Sequence, residues 1–278
     1  VYLKFINLII NYNMYFQNLI LLSALQGITE FLPVSSSAHL IIFPNITNNA
    51  DQGRIFDVAV HTGSLLAVIL YLWRDILRMS IGIISLGSKS KRDFKIFYIT
   101  VIATLPLIFF GYYIQNSNFL FLRSLEVIAW STLIFGILLY FADKVFLRVK
   151  KIDDLNIISG AIIGFFQVLA FLPGTSRSGI CITAARFLGF DRESAAKFSL
   201  LLSIPAILGA AVLEGYDLVK LNDYELNLNL LTATILSFAF SLASITFMMS
   251  WIKKYSFTPF IIYRLLLGIL LLLAIYFW

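Results

Sequence analysis

Two short polar stretches interrupt this otherwise apolar chain at corresponding places. The first reads Phe-Leu-Pro-Val-Ser-Ser-Ser-Ala-His over residues 31–39, and the second reads Phe-Leu-Pro-Gly-Thr-Ser-Arg-Ser-Gly over residues 171–179. Pro33 and Pro173 break helices because proline lacks a backbone donor and restricts the residue before it. Hydroxyl, imidazole and guanidinium groups are costly in hydrocarbon, so polar residues inside apolar segments indicate a functional site.

Composition places these stretches in a membrane. Hydrophobic residues make up 60% of the 278 residues and charged residues only 13%, whereas soluble domains carry about 25% charged residues. We therefore predict an all-α polytopic membrane protein. Its apolar segments are 17–43, 57–73, 96–114, 124–142, 156–189, 195–214, 229–252 and 257–278.

The order of these segments predicts an internal repeat. A broken segment followed by three spans occurs twice, and Ser64-Leu65-Leu66-Ala67 has a partner in Ser199-Leu200-Leu201-Leu202. An odd number of spans per half inverts the second half relative to the first. We therefore expect an inverted repeat of two halves, each a broken re-entrant helical hairpin plus three transmembrane helices.

We treat residues 1–278 as a single membrane domain with pseudo-repeats at approximately 14–150 and 151–278. Met14 could serve as a start, so residues 1–13 are expected to lie outside the fold. No convincing small-residue cleavage site follows the first apolar segment, which is expected to be retained. The lone Cys181 excludes an internal disulfide framework.

Loop charges give the expected orientation. The proposed inner connections carry most of the 21 Lys and Arg residues, whereas the outer ones hold only Arg54, Arg123 and Lys220. The inner set is 74–95, 143–155, 186–197 and 253–254, and the outer set is 44–56, 115–123 and 214–228. This asymmetry places the N-terminal hairpin outside. The net charge of +6 therefore does not indicate a nucleic-acid partner.

The alternative is that the broken segments cross the membrane fully. In that case, Lys253-Lys254 and the 74–95 connection would lie on opposite sides. Hairpins that return to their side of entry keep all the basic connections on one side, so we favour hairpins.

Polar residues around the first break form one half of the predicted site. Gln26 and Glu30 lie four residues apart and therefore share a helix face. Ser35, Ser36 and Ser37 can cap a second short helix that carries His39. A hydroxyl next to an imidazole can supply a nucleophile or a proton relay. Gln26 and Glu30 offer hard oxygen ligands for a divalent cation.

The second break supplies the other half. Gly174 follows Pro173, Thr175 and Ser176 can cap the next helix, and Arg177 and Ser178 lie in its first turn. Helix N-termini bind anions through free N–H groups and the helix macrodipole. Arg177 adds a planar, permanently charged fork that suits phosphate oxygens. We therefore predict that Gly174, Thr175, Ser176 and Ser178, together with Gln26, Ser35 and Ser37, bind substrate.

Structural roles are alternatives to these functional ones. Serines and threonines in membrane helices usually bond to their own helix or to a neighbour. Arg177 could be only a buried partner of Glu30, and Gln26 is evenly balanced between the site and helix packing. For His61, in Val-His-Thr-Gly-Ser, we favour a structural role.

These motifs resemble those of the undecaprenyl-diphosphate phosphatase family, also called the bacitracin-resistance type. The first signature stands here as residues 26–39, from Gln26 through Glu30 to His39, and the second as Pro173 to Gly179. The resemblance continues in residues 61–68, in 198–201 with Pro205, and in 257–260 with Tyr263 and Arg264. It covers nearly the whole chain from about Met14.

The resemblance implies an integral enzyme of the bacterial plasma (inner) membrane that hydrolyses undecaprenyl diphosphate to undecaprenyl phosphate and inorganic phosphate. That reaction recycles the lipid carrier of cell-wall polymers and confers resistance to bacitracin. The resemblance also implies a site open to the outer leaflet and a divalent cation, Mg²⁺ or Ca²⁺, which we assign to Glu30 and Gln26. By position, the catalytic roles fall on Glu30, Ser36, His39 and Arg177.

Two departures from the family pattern stand out. Ala38 occupies a position where glycine is common, and Ile180-Cys181-Ile182-Thr183 replaces the usual Ala-Thr. The sequence leaves open whether Ser36 or a water molecule attacks, and whether the protein forms a homo-oligomer. A lipid flippase and an intramembrane serine protease are the rival functions; the former shares inverted repeats, and the latter rests on Gly174-Thr175-Ser176.

Overall fold

The computed structural model describes residues 17–47, 52–115, 124–145, 149–220 and 228–277, which are predominantly helical. The helices are α1 (17–29), α2 (Ser36–Thr47), α3 (Arg54–Tyr71), α4 (Trp73–Ile84), α5 (Lys91–Gln115), α6 (Leu125–Lys144), α7 (Ile157–Val168), α8 (Arg177–Phe187), α9 (Arg192–Lys220), α10 (Leu228–Ile252) and α11 (Thr258–Phe277). Short 3₁₀ turns occur at Ile152–Asp154 and Leu169–Phe171.

Five of the described helices are long and apolar enough to cross a membrane, and α3 with α4 forms a bent pair that would make a sixth span. The prediction of a polytopic all-helical membrane protein is therefore confirmed. Both broken segments are also observed. Helix α1 ends before Glu30, α7 ends at Val168, and each is followed after a short turn by a second helix.

The second broken segment is a hairpin whose two ends meet. Lys150 donates its backbone N–H to the Gly189 carbonyl (3.1 Å) and accepts from the Asp191 N–H (2.9 Å). Burial alone would raise the pKa of Asp191, but hydrogen bonds from Lys151 and Ser194 outweigh it and lower that pKa. At neutral pH, the ionised carboxylate of Asp191 therefore ties the base of the hairpin.

The first broken segment folds back in the same way. Leu19 and Leu22, near the start of α1, pack in one apolar cluster with Leu40 from α2. The partly buried Phe43 packs against the same cluster. Since the start of α1 lies beside the later part of α2, the two helices run antiparallel and their break lies at the opposite end.

Ion pairs bring the proposed inner connections to one end of the molecule. Lys197 Nζ lies 2.7 Å from Asp75 Oδ1, and Arg92 Nε lies 2.5 Å from Asp153 Oδ1. Glu193, four residues before Lys197 on α9, lies 3.9 Å from Lys253 Nζ. The 74–95 and 253–254 connections thus share a side, which agrees with returning hairpins rather than with full crossings.

One connection differs from the prediction. The 74–95 segment was assigned as a connection, but the structure contains α4 there, bent by 75° from α3 at Leu72. The observed break at Leu72 has neither proline nor glycine beside it, so the sequence offers no stop signal. Arg74 and Arg78 are typical of the basic connections that set the orientation of a membrane protein. They also belong to an amphipathic helix, because α4 places apolar and charged residues on different faces.

Helices α6 and α11 carry corresponding contacts. Each helix carries a pair of residues four positions apart where the two helices pack. The pair on α6 is Thr132 and Gly136, and the pair on α11 is Arg264 and Gly268. Helix α6 contacts the second break through Ser131, and α11 contacts both breaks. These contacts agree with an inverted repeat, which stays a prediction.

The proposed outer connections lie partly outside the described residues. The ranges that lie outside the described residues include 1–13, most of 115–123, and 221–227. The acidic side chains expected there, such as Asp223 and Glu225, therefore remain predictions from the sequence.

Candidate active site

The two breaks place two helix N-termini next to each other, and each is capped in the same manner. Ser35 and Ser176 precede α2 and α8 with left-handed φ angles of 77° and 69°. The Ser35 hydroxyl accepts from the Ala38 N–H (3.4 Å), and the Ser176 hydroxyl accepts from the Gly179 N–H (3.1 Å). A helix start leaves its first amides without intrahelical acceptors, so both tips can receive an anion.

A buried ion pair joins the two halves at these tips. Arg177 Nη2 donates to Glu30 Oε1 at 3.1 Å, and both side chains are largely buried. The second guanidinium nitrogen, Nη1, donates to the Ser199 carbonyl at 3.4 Å. Glu30 lies just before the first break and Arg177 just after the second, so the pair forms only when both breaks are correctly placed.

The remaining carboxylate oxygen of Glu30 accepts two further hydrogen bonds. Ser36 Oγ donates to Glu30 Oε2 at 2.6 Å, and Gln26 Nε2 donates to the same atom at 3.0 Å. Ser36 is half-buried and lies in the first turn of α2. The structure therefore brings together four of the predicted residues, Gln26, Glu30, Ser36 and Arg177. A hydroxyl bonded to a carboxylate is an arrangement suited to activating a nucleophile.

His39 lies in the same hairpin but contacts different groups. Its Nδ1 lies 2.7 Å from the Ser35 carbonyl oxygen, and its Nε2 lies 2.6 Å from the Tyr263 hydroxyl, with the two rings stacked. A carbonyl only accepts, so Nδ1 carries the proton, and in neutral imidazole Nε2 accepts from Tyr263. His39 is thus not hydrogen-bonded to Ser36 or to Glu30.

His61 is the imidazole that approaches the carboxylate. Its Nε2 lies 3.9 Å from Glu30 Oε2, and its Nδ1 lies 2.7 Å from the Asp57 carbonyl oxygen. The His61 side chain is 34% exposed, which leaves it accessible beside the buried Glu30. The sequence favours a structural role for His61, because no proline or helix break lies beside it in α3 to mark a site.

The other predicted substrate-binding residues lie at both breaks. Ser178 Oγ donates to the Leu32 carbonyl at 2.9 Å and thereby links the two breaks. Ser176 Oγ lies 3.1 Å from Ser178 Oγ. Thr175 is fully buried, and its hydroxyl has no hydrogen-bond partner within the described part of the chain. In the first break, Ser37 is exposed and its Oγ lies 3.2 Å from Ser35 Oγ.

Two residues of α11 reach the site region although sequence reasoning gave them no role. Tyr263 contacts His39, and Arg264 is fully buried against backbone carbonyls of both breaks. A signal for Arg264 was available, since it is a lone charge inside a strongly apolar helix. No such signal marked Tyr263, because tyrosines are common in membrane helices near interfaces.

The residues present fit a divalent cation of the Mg²⁺ type. Gln26 Oε1 is buried and has no hydrogen-bond donor within the described residues, so a hard oxygen ligand remains free beside Glu30. No group of three or more His, Cys, Asp or Glu side chains suited to a metal occurs in the described ranges. Mg²⁺ is often held by only one or two carboxylates together with substrate phosphates and water.

Comparison with known proteins identifies the chain's relatives. Residues 19–270 match the family described as bacitracin resistance protein BacA. A protein of Jannaschia sp. (strain CCS1) named undecaprenyl-diphosphatase is 46% identical over 261 residues, which cover 93% of this chain and 98% of the relative. Proteins with the same name from Ruegeria sp. (strain TM1040) and Roseobacter denitrificans are 42% and 41% identical, again covering 93% of this chain and 98% of each relative. The chain therefore belongs to the bacitracin resistance protein BacA family.

Proposed function

We propose that this protein is an undecaprenyl-diphosphatase of the bacterial plasma membrane. It would hydrolyse undecaprenyl diphosphate to undecaprenyl phosphate and inorganic phosphate, and so recycle the lipid carrier and confer resistance to bacitracin. The names of its relatives support this assignment. The observation that carries it is the Glu30–Arg177 pair, held between two helix N-termini inside an apolar helical bundle.

The diphosphate binds at the two helix tips in this proposal. Arg177 supplies a fixed positive fork, and the first amides of α2 and α8 supply donors and partial positive charge. The isoprenoid tail stays among the lipid acyl chains. Phosphoryl transfer is catalysed mainly by positioning and by positive charge near the transferred group, which these elements can provide.

Ser36 is the nucleophile we favour. Its oxygen attacks the terminal phosphorus while its proton passes to Glu30, with which it is already hydrogen-bonded at 2.6 Å. Undecaprenyl phosphate leaves and takes up that proton, and a phosphoserine remains. Water then attacks this phosphoserine while Glu30 accepts the proton of the water. The bond between phosphorus and the Ser36 oxygen breaks, Glu30 returns the proton to that oxygen, and inorganic phosphate is released. In the alternative route, water attacks the diphosphate directly with Glu30 as the base.

A divalent cation would be held by Glu30 and the free oxygen of Gln26. When bound, Mg²⁺ or Ca²⁺ would neutralise charge on the diphosphate and polarise its oxygens. Gln26 would present this oxygen to the ion by rotating its amide group, whose N–H now donates to Glu30 Oε2. Ser36, Arg177 and the helix tips have the roles already described whether or not the ion is present.

The direct test is phosphate release from a polyprenyl diphosphate by the purified full-length protein in detergent, with and without a chelator. We expect turnover that falls on chelation and returns when Mg²⁺ or Ca²⁺ is added. Single-turnover reactions quenched in acid should trap phosphate on Ser36. Transport of the lipid in proteoliposomes without phosphate release would contradict the proposal and favour a flippase.

The expected orientation can be tested separately. We propose that the tips open to the outer leaflet, because the basic connections gather at the other end. Thr47→Cys and Lys254→Cys place thiols at exposed positions on α2 and after α10. A membrane-impermeant thiol reagent should label Thr47→Cys in intact cells and Lys254→Cys only after permeabilisation. The reverse pattern would contradict the orientation.

A further inference from the structure

Arg264 connects the two breaks through a single side chain. It lies on α11 with no exposed surface. Its Nη1 donates to the Pro33 carbonyl (3.4 Å), its Nη2 to the Gly174 carbonyl (2.9 Å), and its Nε to the Thr132 carbonyl (3.3 Å). The three acceptors come from the first break, the second break and α6.

We propose that Arg264 is a positioning residue that fixes the distance and orientation between the two helix tips. Pro33 lies three residues after Glu30, and Gly174 lies three residues before Arg177. Holding the two carbonyls on one rigid guanidinium therefore fixes the backbone on both sides of the Glu30–Arg177 pair. This inference rests on the proposed function, since it concerns the same reaction.

The surrounding glycines support this assignment independently. A Cβ at Gly179 would lie 2.9 Å from Arg264 Nη1 and 3.1 Å from the Ser176 side chain, so the guanidinium would have to shift from its position beside the first turn of α8. A Cβ at Gly136 would lie 3.3 Å from the Arg264 Cβ, which is also tighter than ordinary contact. The fold thus keeps space for this side chain on α6 and on α8.

The acceptors also set Arg264 apart from the other fully buried arginine, Arg186. Arg186 pairs with the Asp143 carboxylate at 3.1 Å, as expected of a buried ion pair. Arg264 contacts no carboxylate within the described residues, and its three hydrogen bonds there go to backbone carbonyls. The planar guanidinium of arginine can donate hydrogen bonds to three carbonyls in different directions at once, whereas the lysine ammonium is a single point charge.

The main experiment compares Arg264→Lys with Arg186→Lys in the full-length protein. Both changes shorten a buried arginine, and both are expected to lower the thermal midpoint. Only Arg264→Lys should change the kinetics of the folded fraction, with kcat lower by about 100-fold, because small displacements of reacting groups cost rates of that order. We expect KM to change by less than threefold, since the isoprenoid tail still partitions into the lipid.

A second pair of variants keeps the arginine. Gly179→Ala should displace the guanidinium and lower kcat about tenfold or more, whereas Gly209→Ala, whose Cβ would meet nothing within 4 Å, should not change it. If Arg264→Lys folds and retains kcat within twofold of wild type, Arg264 is only structural and the proposal is wrong. If Arg264→Lys does not fold, the same conclusion follows from a Gly179→Ala variant that retains kcat within twofold. If the wild-type protein releases no phosphate, the proposed function fails instead.

Discussion

Replacing Arg177 with lysine should cost most of the activity even though the positive charge is kept. The guanidinium uses two nitrogens, one on Glu30 Oε1 at 3.1 Å and one on the Ser199 carbonyl at 3.4 Å. A lysine amine can occupy one of these positions but cannot reproduce the planar fork. The variant therefore lacks one hydrogen bond of the guanidinium at the point where the terminal phosphate is expected to bind.

The size of the effect follows from that single contact. A hydrogen bond to a charged group contributes about 1.5–3 kcal/mol, and each 1.36 kcal/mol in a barrier is a factor of ten in rate. Arg177→Lys should therefore lower kcat/KM by between about 10-fold and about 150-fold. Arg177→Met, which leaves Glu30 buried without a cation, should also destabilise the protein, because breaking such a pair costs about 3–5 kcal/mol.

The assay is phosphate release by purified protein, with kcat and KM measured separately and thermal unfolding followed in parallel. Arg192→Lys is the matched control, because Arg192 binds Asp143 through two hydrogen bonds of 2.8 and 2.9 Å outside the two tips. Arg192→Lys also replaces a guanidinium that makes two hydrogen bonds, and it should keep kcat/KM within twofold of wild type. Turnover of Arg177→Lys within threefold of wild type would refute the role given to this guanidinium.

Three further changes test other parts of the site and fold. Tyr263→Phe removes the hydroxyl that lies 2.6 Å from His39 Nε2, and it should alter the pH profile of kcat, measured from pH 5 to 9, more than it alters KM. Ser36→Ala should lower kcat at least about 100-fold and abolish acid-stable phosphoenzyme in a single turnover. Gly63→Ala places a Cβ 2.2 Å from the Thr234 carbonyl oxygen, so it should destabilise the fold by about 1–3 kcal/mol in unfolding assays, whereas Gly209→Ala should be neutral.

Much of the architecture could be predicted because it depends on local signals. Proline at positions 33 and 173 ends a helix wherever the rest of the chain lies, and both breaks occur where expected. Long apolar runs define spans through the thickness of a bilayer, and these too are observed. Helix α4 was missed because its junction with α3 at Leu72 has no local stop signal and depends on packing against the rest of the bundle.

For the candidate site too, local signals could be predicted from the sequence and long-range contacts could not. Glu30, Ser36 and Arg177 were found because each is polar next to a break, and the structure places them in contact. The partners of His39 could not be found, because its contact with Tyr263 joins residues more than two hundred positions apart. Arg264 shows the same limit, since its charge is visible in the sequence while its carbonyl acceptors are not.

We propose that the Glu30–Arg177 pair serves catalysis rather than stability. A buried ion pair is often no more stabilising than well-packed apolar residues, because both charges lose their hydration. Here the pair keeps each charged group ready beside a helix tip, and the diphosphate can offer Arg177 a second anionic partner. As Arg177 shares its fork with phosphate, Glu30 becomes more available to the Ser36 proton and to the cation proposed beside Gln26. In this proposal, substrate binding would itself loosen the ion pair and leave Glu30 able to accept the Ser36 proton at the moment the reaction needs it.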